Sequence, residues 1–212
     1  MKLKRGLGKE FRLYVLVNYS PNHREEKVLR FAQDIIEAGA DVVQLRTEKK
    51  TDKEFLSIAS KIKEWTHKAG ISFIVNNRPD IALAVDAEGV HLGQNDLPID
   101  CVRKIISQKI VGKSAHNIIE AIEAEREGAD YIGIGPVFPS STKPNLFPTG
   151  LSLIQEVKEK TALPFTAIGG INLSNIKEVI KAGAKSVAVC SAIKEAENPR
   201  AVVKEFKRIL RD

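Results

Sequence analysis

The sequence predicts an α/β chain closed as a single (βα)8 TIM barrel, a parallel eight-stranded barrel wrapped by helices. Three observations carry this expectation. Eight short β-branched runs alternate with amphipathic segments, several of those segments end on the same Gly-Ala pair, and neither a Gly-x-Gly-x-x-Gly nor a Gly-x4-Gly-Lys-Ser/Thr nucleotide loop occurs. Without such a loop the closed barrel is favoured over an open doubly wound sheet, and residues 1–212 read as one barrel domain.

The expected strands are Phe11 to Asn18, Val42 to Arg46, Ser72 to Asn77, Gly89 to Gly93, Lys109 to Ser114, Tyr131 to Gly135, Phe165 to Gly169 and Ser186 to Cys190. They are short and mostly apolar, as strands covered on both faces must be. Between them apolar residues recur three or four apart, as in Val28, Phe31, Ile35 and Ile36, or Ile176, Val179 and Ile180. The endings Gly39-Ala40, Gly128-Ala129 and Gly183-Ala184 each supply a glycine for the left-handed turn that stops a helix.

Composition narrows the function. With 212 residues and 43% hydrophobic content the chain can bury a sizeable core unaided. Its two cysteines, Cys101 and Cys190, lie far apart outside any metal motif and read as reduced residues of a cytoplasmic protein. The net charge of +6 comes from lysines alternating with glutamates on helical segments, so neither a nucleic acid nor a membrane partner is expected. The apolar run Leu13 to Val17 is too short for a signal-peptide core. A homo-oligomer is compatible with the sequence.

In a barrel of this kind chemistry gathers at the C-terminal ends of the strands. The segment Gly135-Pro136-Val137-Phe138-Pro139-Ser140-Ser141-Thr142-Lys143 leaves the sixth strand with three hydroxyls and a lysine, suited to a mobile flap over a phosphate. Period-two spacing turns Gln44 and Arg46 together toward the mouth, where arginine can grip a phosphate bidentately. Asn76 and Asn77 precede Pro79 and suit capping of the next helix. Asp96 suits either a cap or a Mg²⁺ ligand shared with water and substrate phosphate. Ser114 reads as a cap or a mouth hydroxyl, and His116 as an acid/base or a structural hydrogen-bonder. Gly169-Gly170 exposes backbone N–H groups, and a short helix beginning near Ser191 would aim its positive end at the mouth, a recurrent phosphate-binding arrangement after strands seven and eight.

Taken together, Gln44-Leu45-Arg46, Asn76-x-Arg78, Gly89-Val90-His91-Leu92-Gly93-Gln94-x-Asp96, Gly112-x-Ser114-x-His116, Gly135-Pro136-Val137-Phe138-Pro139 with Thr142-Lys143, Ile168-Gly169-Gly170-Ile171 and Ser191-Ala192-Ile193 resemble the thiamine phosphate synthase/TenI family. The resemblance runs along nearly the whole chain. It implies a transferase that joins hydroxymethylpyrimidine diphosphate to hydroxyethylthiazole phosphate, releasing pyrophosphate and thiamine phosphate. It also implies site roles: Gln44 on the pyrimidine; Arg46, Asn76 and Lys143 on the diphosphate; Ser114 beside the departing pyrophosphate; Asp96, with Asn77, on Mg²⁺. Ser140, Thr142, Gly170, Cys190 and Ser191 would hold the thiazole phosphate.

Three positions depart from the family pattern. Glu48 stands where a second lysine is usual, Asn77 where an aspartate is usual, and Asn18 where the first strand usually ends in aspartate. These departures keep two alternatives in view: a TenI-type thiazole tautomerase using His116 as acid/base, and a non-catalytic binder of a thiamine precursor.

Overall fold

The computed structural model describes residues 11–140 and 147–211. Eight parallel strands follow one another around a closed barrel, and the first pairs with the last through Leu13 to Val15 against Val187 to Val189. The strands are β1 (Leu13–Tyr19), β2 (Val42–Thr47), β3 (Ser72–Asn76), β4 (Gly89–Leu92), β5 (Ile110–Ala115), β6 (Tyr131–Ile134), β7 (Phe165–Ile168) and β8 (Val187–Val189). All eight expected strands are present, with ends within a residue or two of those read from sequence.

The helices are α1 (Glu25–Glu37), α2 (Asp52–Ala69), α3 (Pro79–Ala84), α4 (Ile99–Ile105), α5 (Ile118–Arg126), α6 (Ser152–Lys160), α7 (Ile176–Lys181), α8 (Ser191–Lys194) and α9 (Pro199–Arg211). Gly39, Gly128 and Gly183 have φ of 94°, 87° and 115°, the conformation expected of the residue that turns a finished helix toward the next strand. The longest helix, α2, opens with a capping box in which Thr51 and Glu54 satisfy each other's backbone N–H groups.

Alternation along the strands divides the apolar residues between two layers. Leu45, Val75, Val90, Val111 and Ile132 face the helices and merge with Val28, Ile35, Ile58, Val102, Val157 and Phe206 in the outer core. Tyr14, Leu16, Val42, Ile74, Ile110, Tyr131 and Ala188 face inward and fill the barrel, with Phe11 packed beneath them. The rings of Phe11, Tyr14 and Tyr131 meet with centroids 6.0 to 6.4 Å apart. This aromatic cluster plugs the barrel at its N-terminal end and supports the polar mouth above it.

Candidate active site

The strand exits enclose one cavity at the C-terminal face, lined by Gln44 and Arg46 from β2, Asn76 and Asn77 at the end of β3, His91, Ser114 and His116, Ser140, and Gly170, Cys190 and Ser191. Gln44 and Arg46 do share a side, and Leu45 between them is fully buried in the outer core. Of the residues singled out in the sequence, Thr142 and Lys143 lie outside the described residues, as does Ser141.

Where the sequence allowed a helix cap as one of two readings, the structure shows another use. Ser114 lies within β5, and Asn117 instead caps α5 by accepting from the Glu120 N–H at 2.9 Å. Asp96 does not cap α4; its Oδ2 accepts from the Gly93 N–H at 2.5 Å and closes a turn, in which Gly93 rather than Asp96 is among the residues lining the cavity. Asn76 and Asn77 leave α3 without a side-chain cap, although Pro79 does take the first helical turn. Asn77 adopts φ of 61°, a left-handed conformation that asparagine tolerates better than most residues, and its N–H donates to the His91 carbonyl at 2.9 Å.

The lining also explains the glycines. A Cβ on Gly169 would lie 2.4 Å from Pro136 Cβ, and one on Gly170 would lie 2.5 Å from the Pro139 carbonyl oxygen. The base of the loop after β6 therefore packs directly on this pair, with the Phe138 N–H donating to Gly169 at 3.0 Å. On the far side of residues 141–146, the Thr149 N–H and hydroxyl both donate to the Pro136 carbonyl, at 2.7 and 3.2 Å. As expected, α8 begins at Ser191, but it is a single short turn.

Charge at the mouth is arranged around Arg46, which donates to Glu48 Oε1 at 2.7 Å. Lys50 sits 4.0 Å above the Tyr19 ring and also pairs with Glu54 at 3.2 Å. Arg78 is turned away, held by Asp80 and Asp52, which raises its pKa and lowers that of Asp80. His116 Nδ1 lies 2.9 Å from Glu120 Oε2, which also accepts from the His116 N–H at 2.8 Å. On the opposite wall Asn18 Nδ2 donates to Cys190 Sγ at 3.2 Å, while its buried Oδ1 has no hydrogen-bond partner among the described residues.

The sequence assigned no role to Tyr14, Tyr131 and His91, the inward side chains that join Gln44 to Ser114 below the mouth. Gln44 Nε2 donates to the Tyr14 hydroxyl at 2.6 Å, which lies 3.0 Å from the Tyr131 hydroxyl. Tyr131 in turn lies 2.9 Å from His91 Nδ1, and His91 Nε2 lies 3.0 Å from Ser114 Oγ. Burial pushes both phenols well above their ordinary pKa and keeps them protonated. Gly112 makes room for the Tyr131 ring and Gly133 for the His91 ring. The parity of each side chain was readable, but their meeting depends on barrel closure.

An eight-stranded barrel whose C-terminal mouth gathers an arginine, amides, hydroxyls and exposed backbone defines a (βα)8-barrel enzyme acting on small polar molecules. Residues 13–193 match the family described as thiamine monophosphate synthase. A thiamine-phosphate synthase from Shouchella clausii is 44% identical over 195 residues, covering 91% of this chain and 93% of the relative. Another from Chloroflexus aurantiacus is 39% identical over 204 residues, with coverage of 95% and 93%. A solved thiamine phosphate pyrophosphorylase from Pyrococcus furiosus superposes with a TM-score of 0.84 at 35% identity, covering 95% of this chain and 96% of that one. The chain belongs to the thiamine monophosphate synthase family.

Proposed function

We propose that this chain is a thiamine phosphate synthase, a transferase that moves the pyrimidine-methyl group of hydroxymethylpyrimidine diphosphate onto the nitrogen of hydroxyethylthiazole phosphate. The observation that carries the reading is the convergence of Gln44, Arg46, Asn76, Ser114, Gly170 and Ser191 on one cavity, in a chain whose close relatives carry that name.

The reaction breaks the carbon–oxygen bond to the diphosphate, which leaves with the bonding pair, and forms a carbon–nitrogen bond to the thiazole. Charge therefore grows on the departing oxygens, and donors fixed where that charge develops favour the transition state. Arg46, Asn76 and the Ser114 hydroxyl take that role, with Lys143 from the loop after β6. Gln44 orients the pyrimidine. Ser140, Thr142, Gly170, Cys190 and Ser191 hold the thiazole phosphate so that its nitrogen faces the carbon losing its leaving group.

The donor set fits Mg²⁺, which commonly takes one or two carboxylates and fills its shell with water and substrate phosphate. Asp96 offers the carboxylate and Asn77 a carbonyl oxygen, and the described residues contain no cluster of three or more acidic, histidine or cysteine ligands that would cage a metal by itself. When bound, Mg²⁺ would neutralise part of the leaving diphosphate's charge. No helix among the described residues is long and apolar enough to cross a membrane. The reading carries with it cytoplasmic action, with Cys101 and Cys190 as free thiols.

The test incubates purified protein with both substrates and Mg²⁺, follows thiamine phosphate by mass, and repeats with EDTA. Mg²⁺-dependent product supports the synthase. Absence of product, together with isomerisation of a thiazole carboxylate phosphate in a parallel tube, would replace it with the tautomerase.

A further inference from the structure

The five side chains Gln44, Tyr14, Tyr131, His91 and Ser114 come from five strands and form one unbroken hydrogen-bonded line across the barrel. Such a line has a direction, because each hydroxyl carries a single proton. Gln44 presents its amide nitrogen to Tyr14, so the Tyr14 proton goes on to Tyr131 and the Tyr131 proton to His91 Nδ1. With Nδ1 accepting, the neutral imidazole carries its proton on Nε2 and donates to Ser114 Oγ. The Ser114 proton then points away from His91, on a residue that lines the cavity.

Turning the Gln44 amide over would reverse every step and leave Ser114 presenting a lone pair to the cavity instead. A negatively charged leaving group selects against that arrangement. Gln44, Tyr14 and Tyr131 are 3%, 2% and 1% exposed, so bulk water is kept from their end of the line, while His91 and Ser114 are half-buried at the cavity wall. An imidazolium at His91 would donate from both nitrogens and leave a buried phenolic proton unpaired.

We propose that this line fixes Ser114 as a hydrogen-bond donor to the departing diphosphate, with Tyr14, Tyr131 and His91 as positioning residues. The proposal rests on the synthase reading, and it makes a claim about proton placement that is measurable without turnover.

The test is ¹⁵N NMR of the imidazole side chains in the intact protein, with His91 assigned by substituting His23, His67 and His116 one at a time, paired with steady-state kinetics. The wild type is expected to show a neutral His91 with its proton on Nε2. Tyr131→Phe, which keeps the ring, and Tyr14→Phe, which interrupts the line one step earlier, should each abolish that pure tautomer. Each should also lower kcat about tenfold, the size of one hydrogen bond to a charged group, with KM for the thiazole phosphate unchanged. A wild-type proton on Nδ1, an imidazolium at pH 8, or full kcat in both variants would overturn the proposal. If the wild type makes no thiamine phosphate, the synthase reading fails separately, and the NMR pattern still decides the direction of the line.

Discussion

The Arg46 guanidinium and the Glu48 carboxylate meet at 2.7 Å at the rim of the barrel, two residues apart on the exit of β2. The cation that the proposed function assigns to the diphosphate is thus already engaged by an anion of the same chain. Glu48 is 59% exposed, so solvent screens the pair and limits its strength.

The expected effect of Glu48→Gln is a fall in KM for the pyrimidine diphosphate of roughly two- to fivefold, the value of an exposed ion pair. The gain should shrink as salt is raised. Initial-rate kinetics at two ionic strengths check this, and an unchanged KM at low salt would remove Glu48 from the account of substrate binding.

Asp96→Asn separates charge from structure, because an amide oxygen can still accept from the Gly93 N–H. Stability should change by no more than about 1 kcal/mol. The Mg²⁺ concentration giving half-maximal activity should rise at least about tenfold, well within the ~4 kcal/mol that a unit charge carries at 4 Å and intermediate dielectric. A Mg²⁺ titration of both proteins gives the comparison.

Gly112 and Gly133 are predicted to respond unequally to alanine. A Cβ on Gly112 would lie 2.2 Å from Tyr131 Cζ, whereas one on Gly133 would lie 3.2 Å from His91 Cε1. Gly112→Ala should cost about 2–3 kcal/mol through overpacking, and Gly133→Ala distinctly less. Urea denaturation ranks them, and equal costs would mean that the Tyr131 ring is free to move.

The raised pKa values of Tyr14 and Tyr131 set the sign of an alkaline effect. Below the ordinary phenol value of 10.0 both folded and unfolded chains hold these protons, and the pair adds no pH dependence. Above it, the unfolded chain releases protons that the folded barrel retains, so stability falls as pH rises. Denaturation midpoints from pH 8 to 11 should decline less steeply in a Tyr14→Phe, Tyr131→Phe double variant than in the wild type.

Much of the fold was legible because its signals are local. Glycine at 39, 128 and 183 ends a helix by its own backbone freedom, and period two alone turns Gln44 and Arg46 to one side. Local spacing left Ser114 and Asp96 open between a cap and a place at the mouth, because the contacts that decide it, with His91 and the Gly93 N–H, form only in the folded barrel. The pairing of Tyr14 with Tyr131 spans 117 residues and exists only once β1 and β6 face each other inside the closed barrel. The reversed charge at Glu48 was visible, but its attachment to Arg46 was a matter of side-chain reach.

The aromatic plug of Phe11, Tyr14 and Tyr131 makes the reaction chamber a dead end. Two substrates and two products must use one doorway, so traffic through the enzyme becomes a matter of queueing. Whichever molecule rests deeper has to arrive first and leave last, past a rim to which Pro136 and Ser140, at the base of the loop after β6, contribute beside Gly169 and Gly170.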